Sequence, residues 1–139
     1  MMNREEIMAI IPHRDDMLLI DEAQVKDGKA YGKYTFKGTE WFFNGHFPKN
    51  PVVPGVILCE IIAQTASVLM AGSTEQAAMT PYFTGLDNVR FRKKVLPGDV
   101  FETECVIVKS KGPFYFASGK GYTNHELCVS ADFSFALQK

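Results

Sequence analysis

Cysteine is scarce in this chain: three residues among 139, Cys59, Cys105 and Cys128, odd in number and far apart. No Cys-x-x-Cys spacing occurs, so neither a disulfide framework nor a thiolate zinc or redox site is encoded, and the expected compartment is the reducing cytoplasm. Net charge is nearly absent as well. Fifteen basic side chains stand against 16 acidic ones, a formal balance of −1, which withholds the broad positive field of a general nucleic-acid binder. An export signal is missing too: the chain opens Met-Met-Asn-Arg-Glu-Glu, with acidic residues where basic ones would stand and no apolar run behind them. The longest stretch poor in charge, 51–72, carries only Glu60. A membrane-spanning helix needs roughly 20 apolar residues and tolerates a central carboxylate poorly. Pro51, Pro54 and Gly55 take up its start, leaving 56–71 as a helix of a soluble protein, buried on nearly every side, with no membrane insertion.

What is present is enough apolar material, 46% of the residues, for one core in one domain over 1–139, without disulfides or structural metal. Asn3 with Glu6 three positions on is a capping box that starts a short helix over 4–10, stopped by Pro12. Strands are expected over 18–26 and 29–36, joined at Asp27-Gly28, a strong hairpin signal. Residues 37–55 read as irregular, dense in Gly, Pro, Asn and aromatics, and a loop over 72–81 follows the apolar helix. Four more strands, 82–91, 100–109, 114–123 and 127–137, are separated by turns rich in Gly, Pro, Asn and Asp. The last alternates strictly, with Leu127, Val129, Ala131, Phe133, Phe135 and Leu137 on one face. One helix without a polar face and six antiparallel strands bury each other only if the sheet curls around the helix, an α+β architecture.

Within that apolar helix Glu60, Gln64 and Ser67 fall at i, i+4 and i+7, on one face. Burying a carboxylate demands pairing or neutralisation. A core carboxylate satisfied by hydrogen bonds would meet that demand. A proton donor in an apolar cleft, the usual setting of acid catalysts, meets it and gives the whole stripe a purpose. His46, in Gly45-His46-Phe47-Pro48, sits in the loop leading to the helix and is the natural general base; a metal site there would need a third ligand at recognisable spacing. His13, after Pro12, and His125, in an expected exposed turn, are set aside. Pro54-Gly55 either simply starts the helix or leaves backbone N–H groups free for an oxygen that gains negative charge.

The run from Gly45 to Gln64, GHFPKNPVVPGVILCEIIAQ, closely resembles the signature of the β-hydroxyacyl-[acyl carrier protein] dehydratases of the FabZ type. Ile11-Pro12-His13-Arg14 with Leu18-Leu19-Ile20-Asp21, and Val89-Arg90-Phe91-Arg92 leading to Pro97-Gly98-Asp99, extend the likeness over most of the chain. The resemblance implies the hot-dog fold and a hydro-lyase converting (3R)-hydroxyacyl-[acyl carrier protein] to the trans-2-enoyl form in fatty-acid biosynthesis. It implies no cofactor and no metal. His46 would take the C2 proton, and Glu60, contributed by a partner subunit, would protonate the departing C3 hydroxyl. The Gly55 N–H would hold the thioester carbonyl, and Gln64 would orient Glu60. A homodimer is implied, with trimers of dimers as a further assembly. Tyr82-Phe83 matches an aromatic pair by the acyl tunnel, although packing on the core explains it nearly as well. Arg90, Arg92, Lys93 and Lys94 place 90, 92 and 94 on one strand face; they either guard an edge strand or steer the acidic acyl carrier protein. Departures from the family pattern are Arg14-Asp15-Asp16, Val53 and Cys59, which bear on the acyl tunnel and not on the catalytic pair.

Two other readings compete. A hot-dog thioesterase would need a carboxylate or a water aimed at the carbonyl carbon, which His46 with Glu60 does not obviously supply. A catalytically silent acyl-binding module would not need both residues, nor a chain that reads as complete from Met1. Fold alone does not separate the three.

Overall fold

The computed structural model describes residues 1–44, 49–69 and 80–138. Asp27 and Gly28 both take positive φ, 54° and 79°, the backbone of a two-residue hairpin turn, in which glycine carries no steric penalty. The turn joins β1 (Glu22–Lys26) to β2 (Lys29–Thr35), with Lys26 opposite Lys29. The remaining strands are β3 (Thr80–Phe91), β4 (Val100–Lys111), β5 (Phe114–Thr123) and β6 (Glu126–Gln138). All pairings are antiparallel, in the spatial order β1-β2-β4-β5-β6-β3. The expected six-stranded sheet is therefore borne out, with β3 carried across to the far edge by the connection through the helix.

That helix is α2, Gly55–Ser67, capped at Val68, ending four residues before the expected 71 and beginning one residue earlier than the expected 56. The expected loop over 72–81 lies largely outside the described residues. Ile57, Leu58, Ile61, Ile62 and Ala66 sit in the main core with Phe36, just after β2, and with Phe101, Val129, Phe133 and Phe135 from the sheet. The close approach depends on missing side chains. A Cβ on Gly32 would come within 2.6 Å of the Thr65 hydroxyl, and one on Gly119 would collide with Ile62. The buried polar groups at this contact are paired: Thr65 Oγ1 donates to the Ile61 carbonyl at 2.9 Å and takes the Thr103 hydroxyl at 2.6 Å, and Cys105 Sγ donates to the Ile62 carbonyl.

A second, smaller cluster fixes the N-terminal segment. Helix α1, Arg4–Met8, has the expected capping box, with Asn3 Oδ1 accepting from the Glu6 amide at 2.9 Å and Glu6 Oε1 from the Asn3 amide at 3.2 Å. Ile7, Ile11, Leu18, Ile20 and Ala23 bury themselves against Val68, just beyond α2. The first strand begins at Glu22 and not at Leu18, because the backbone of 18–20 is engaged elsewhere: the Leu19 amide donates to Gln64 Oε1 at 3.0 Å. In β6 the alternation holds for Val129, Ala131, Phe133, Phe135 and Leu137, all buried. Cys128, expected on the other face, is also fully buried, since a bulge between Gly121 and Tyr122 leaves it outside the regular register and turns it inward.

Candidate active site

Glu60 lies in the middle of α2 on its least covered stripe. Val56, one turn earlier, is 72% exposed, whereas Gln64, one turn later, is completely buried. The carboxylate oxygen Oε2 accepts from Gln64 Nε2 at 2.8 Å. Gln64 in turn has no freedom: its Nε2 also donates to the Met17 carbonyl at 2.8 Å, and its Oε1 accepts from the Leu19 amide. A reversed amide would lose all three bonds, so the orientation is dictated by the backbone of 17–19. Gln64, expected to orient Glu60, is thus in direct hydrogen bond with it. Ser67, the third member of the stripe, donates to the Ala63 carbonyl at 2.9 Å.

A second group reaches the same oxygen. His13 Nε2 stands 3.1 Å from Glu60 Oε2, both side chains about four-fifths buried. Sequence reasoning set this histidine aside; the available signal was its place in Ile11-Pro12-His13-Arg14, between residues that the N-terminal cluster buries. Together His13, Glu60, Ala63, Gln64, Ser67, Pro81, Phe83 and Phe135 enclose a cavity of about 20 Å³, room for one water-sized group. His46, the expected base, lies outside the described residues.

Phe83 is a wall of this cavity and meets Phe133 edge-on at 6.1 Å, while its neighbour Tyr82 is half exposed and lines no part of it. Both belong to β3, where successive side chains face opposite ways. Gly55 opens α2, so its amide is among those a helix leaves without an internal acceptor. The Phe91 ring lies over it so closely that a Cβ on Gly55 would come within 2.7 Å. Beside it runs a hollow of about 480 Å³ walled by Val52, Val53, Leu58, Phe91 and the segment Arg92–Val95, within the size range of small-molecule sites.

The basic segment needs a correction. Strand β3 ends at Phe91, and the amides of both Arg92 and Lys93 point to the Cys128 carbonyl, at 2.7 and 3.3 Å. Two successive amides on one acceptor break the alternation, so Arg90, Arg92 and Lys94 do not share a strand face. Lys93 is paired with Glu126 at 3.2 Å.

A hollow of about 590 Å³ lies away from Glu60 beside Arg4, Asp21, Tyr34, Glu40 and Trp41. Its polar groups are engaged with one another, Arg4 with Asp21 at 3.0 Å and Tyr34 with Glu40 at 2.7 Å. Among the described residues no three of His, Cys, Asp or Glu converge as metal ligands, and no helix is long and apolar enough to cross a membrane. Burial pushes the Cys59 thiol upward from its ordinary pKa, which keeps the neighbour of Glu60 a neutral packing group.

A curled antiparallel sheet holding one buried helix, with a carboxylate facing a small cavity, defines a hot-dog protein with an enzyme-like site. The family model described as a FabA-like domain matches residues 11–132. A 3-hydroxyacyl-[acyl-carrier-protein] dehydratase FabZ of Geobacillus sp. (strain WCH70) is 40% identical over 139 residues, covering 99% of this chain and 96% of that protein. The FabZ of Staphylococcus epidermidis is 42% identical over 135 residues, covering 96% and 93%. Among solved structures, the dehydratase heterocomplex ApeI:P from Xenorhabdus doucetiae matches with a TM-score of 0.81 at 17% identity, over 96% of this chain and 91% of that one, a likeness of fold. The chain belongs to the FabZ-type 3-hydroxyacyl-[acyl-carrier-protein] dehydratases of the FabA-like family.

Proposed function

We propose that this protein removes water from (3R)-hydroxyacyl chains held on acyl carrier protein, giving trans-2-enoyl chains in the fatty-acid biosynthesis of the cytoplasm. The observation that carries the reading is Glu60, a lone carboxylate on an apolar helix. Its Oε2 is occupied by two fixed groups, while no described residue bonds Oε1. In the elimination, His46 takes the C2 proton, the electrons of that C–H bond become the second carbon–carbon bond, and the C3–O bond breaks. Glu60 Oε1 gives its proton to the departing hydroxyl, which leaves as water. The Gly55 amide, at the positive end of α2, steadies the thioester oxygen as charge builds on it; Phe91 and the adjoining hollow border the path to it.

The working unit is a homodimer, in which Glu60 of one protomer serves His46 of the other, with trimers of dimers as a higher assembly. Two features support it. Among the described residues strand β3 pairs only with β6, and along it Tyr82, Phe83, Leu86 and Phe91 are exposed; an edge carrying large apolar groups favours pairing with another strand. Val56 is likewise uncovered on the stripe that holds Glu60. Arg90, Arg92, Lys93 and Lys94 form the docking surface for the acidic carrier, with Lys93 contributing less because Glu126 already pairs with it.

The test is direct. The purified protein is incubated with 3-hydroxyacyl-[acyl carrier protein] of several chain lengths, and the carrier is followed by mass spectrometry. Loss of one water from the acyl chain is expected. Release of a free acid with bare carrier would instead reveal a thioesterase, and unchanged carrier a binding module.

A further inference from the structure

His13 lies on a turn that the fold holds unusually firmly. Ile11 and Leu18, on either side, are buried in the N-terminal cluster. Between them the Arg14 guanidinium donates to the carbonyls of Met8, Ile11 and His13 at 2.7–2.8 Å. This places the imidazole with Nε2 at 3.1 Å from Glu60 Oε2, whereas its Nδ1 is buried with no hydrogen-bond partner. A proton on Nδ1 would be a buried donor without an acceptor, so the ring holds its proton on Nε2, the nitrogen that stands at ion-pair distance from Glu60. Since Gln64 donates to the same oxygen, Oε2 is the oxygen that both side chains approach. The remaining oxygen, Oε1, is then the one on which a transferable proton resides.

We propose that His13 is a positioning residue for the dehydration: as an Nε2–H donor it works with Gln64 to lock the Glu60 carboxyl and to reserve Oε1 for the proton that goes to the leaving hydroxyl. The inference rests on the reading of Glu60 as the acid. His13 does not touch the acyl chain in this assignment; it acts through Glu60. The other cavity walls, Ala63, Gln64, Ser67, Pro81, Phe83 and Phe135, carry no titratable group, so His13 and, across the proposed dimer, His46 are the ionisable groups that face Glu60.

Three variants test it in the full-length protein: Glu60→Gln, His13→Ala and His13→Gln. Glu60→Gln must abolish turnover, and if it does not, the acid assignment itself fails, separately from the role of His13. His13→Ala should lower kcat by about ten- to a hundredfold, because the carboxyl is free to rotate from its productive pose, with KM nearly unchanged. His13→Gln, whose Nε2 reaches a similar place without an ionisable ring, should recover much of the kcat. Nitrogen NMR of the unsubstituted protein should find the His13 proton on Nε2. The proposal is overturned if His13→Ala keeps kcat within about twofold while Glu60→Gln is dead, an effect too small for a lost positioning contact. It is equally overturned if both His13 variants lose activity only in step with their thermal stability, or if the proton is found on Nδ1.

Discussion

Glu40 shows how one residue can organise a turn. Its carboxylate accepts from the amides of Lys37 and Gly38 and from the Tyr34 hydroxyl, at 2.7–3.1 Å. Partial burial alone would raise its pKa, but these hydrogen bonds outweigh it and hold the group below the ordinary carboxylate range. The same contacts push Tyr34 the other way, since burial and the nearby negative charge both disfavour a phenolate. A carboxyl depressed in the folded state contributes stability that is complete above its unfolded pKa, about 4.3, and is lost as pH falls through the lower folded value. Glu40→Gln should therefore cost on the order of 1 kcal/mol at neutral pH, with the deficit shrinking below pH about 4. Denaturant unfolding of both proteins across pH 3–7, a range that spans the usual carboxylate values, measures it; a deficit constant across that range would contradict the account. At this scale Glu60 and Gln64 were legible, because a polar stripe on an apolar helix has no bland appearance. His13 was not, because its partner is distant in sequence and no local pattern records a contact made through two separate buried clusters.

Helix α2 and the sheet meet through positions that lack side chains. Gly119 and Gly121 in β5 both face inward, and a Cβ at Gly121 would run into the ring of Phe101, which is itself completely buried. Neither the ring nor the backbone can retreat in a packed interior. Gly121→Ala should destabilise the protein by about 1–3 kcal/mol, seen as a lower thermal midpoint with an otherwise native circular dichroism spectrum. An unchanged midpoint would mean that the contact relaxes freely. The strands themselves were well marked by alternation and by turn residues, β5 in full and β6 to within one residue at each end. The exceptions share a cause: Leu18–Ile20 and Arg92–Lys94 look like strand, yet the Leu19 amide is taken by Gln64 and the Arg92 and Lys93 amides by the Cys128 carbonyl. Such competition is tertiary and leaves no periodic trace.

For the whole molecule the apolar edge at β3 and the exposed Val56 at the start of α2 motivate the proposed sharing of the active site between subunits. His46→Ala and Glu60→Ala should each reduce turnover by at least about a hundredfold. Unfolding and refolding the two inactive proteins together should restore part of the activity, since mixed dimers would hold one intact site. Mixed dimers as inactive as their parents would refute sharing across subunits. Carrier docking is separable from chemistry. Arg92→Glu with Lys94→Glu should raise KM for carrier-linked substrate and weaken its salt dependence, while leaving a short pantetheine substrate nearly unaffected; equal losses on both would indicate a structural defect instead.

By itself the sequence determined the class of the fold and the candidate for the acid, Glu60. Apolar periodicity, turn residues and the stripe on 60, 64 and 67 are local patterns, dictated by how far apart side chains fall on a helix or a strand. Only the tertiary structure decided how that acid is held. The buried anchors at Ile11 and Leu18 bring His13 to Glu60, the backbone of 17–19 fixes Gln64, and the inward glycines let α2 settle against the sheet. Those contacts join segments far apart along the chain, and their geometry is set by how the two buried clusters pack, a property of the folded volume that no stretch of sequence carries alone.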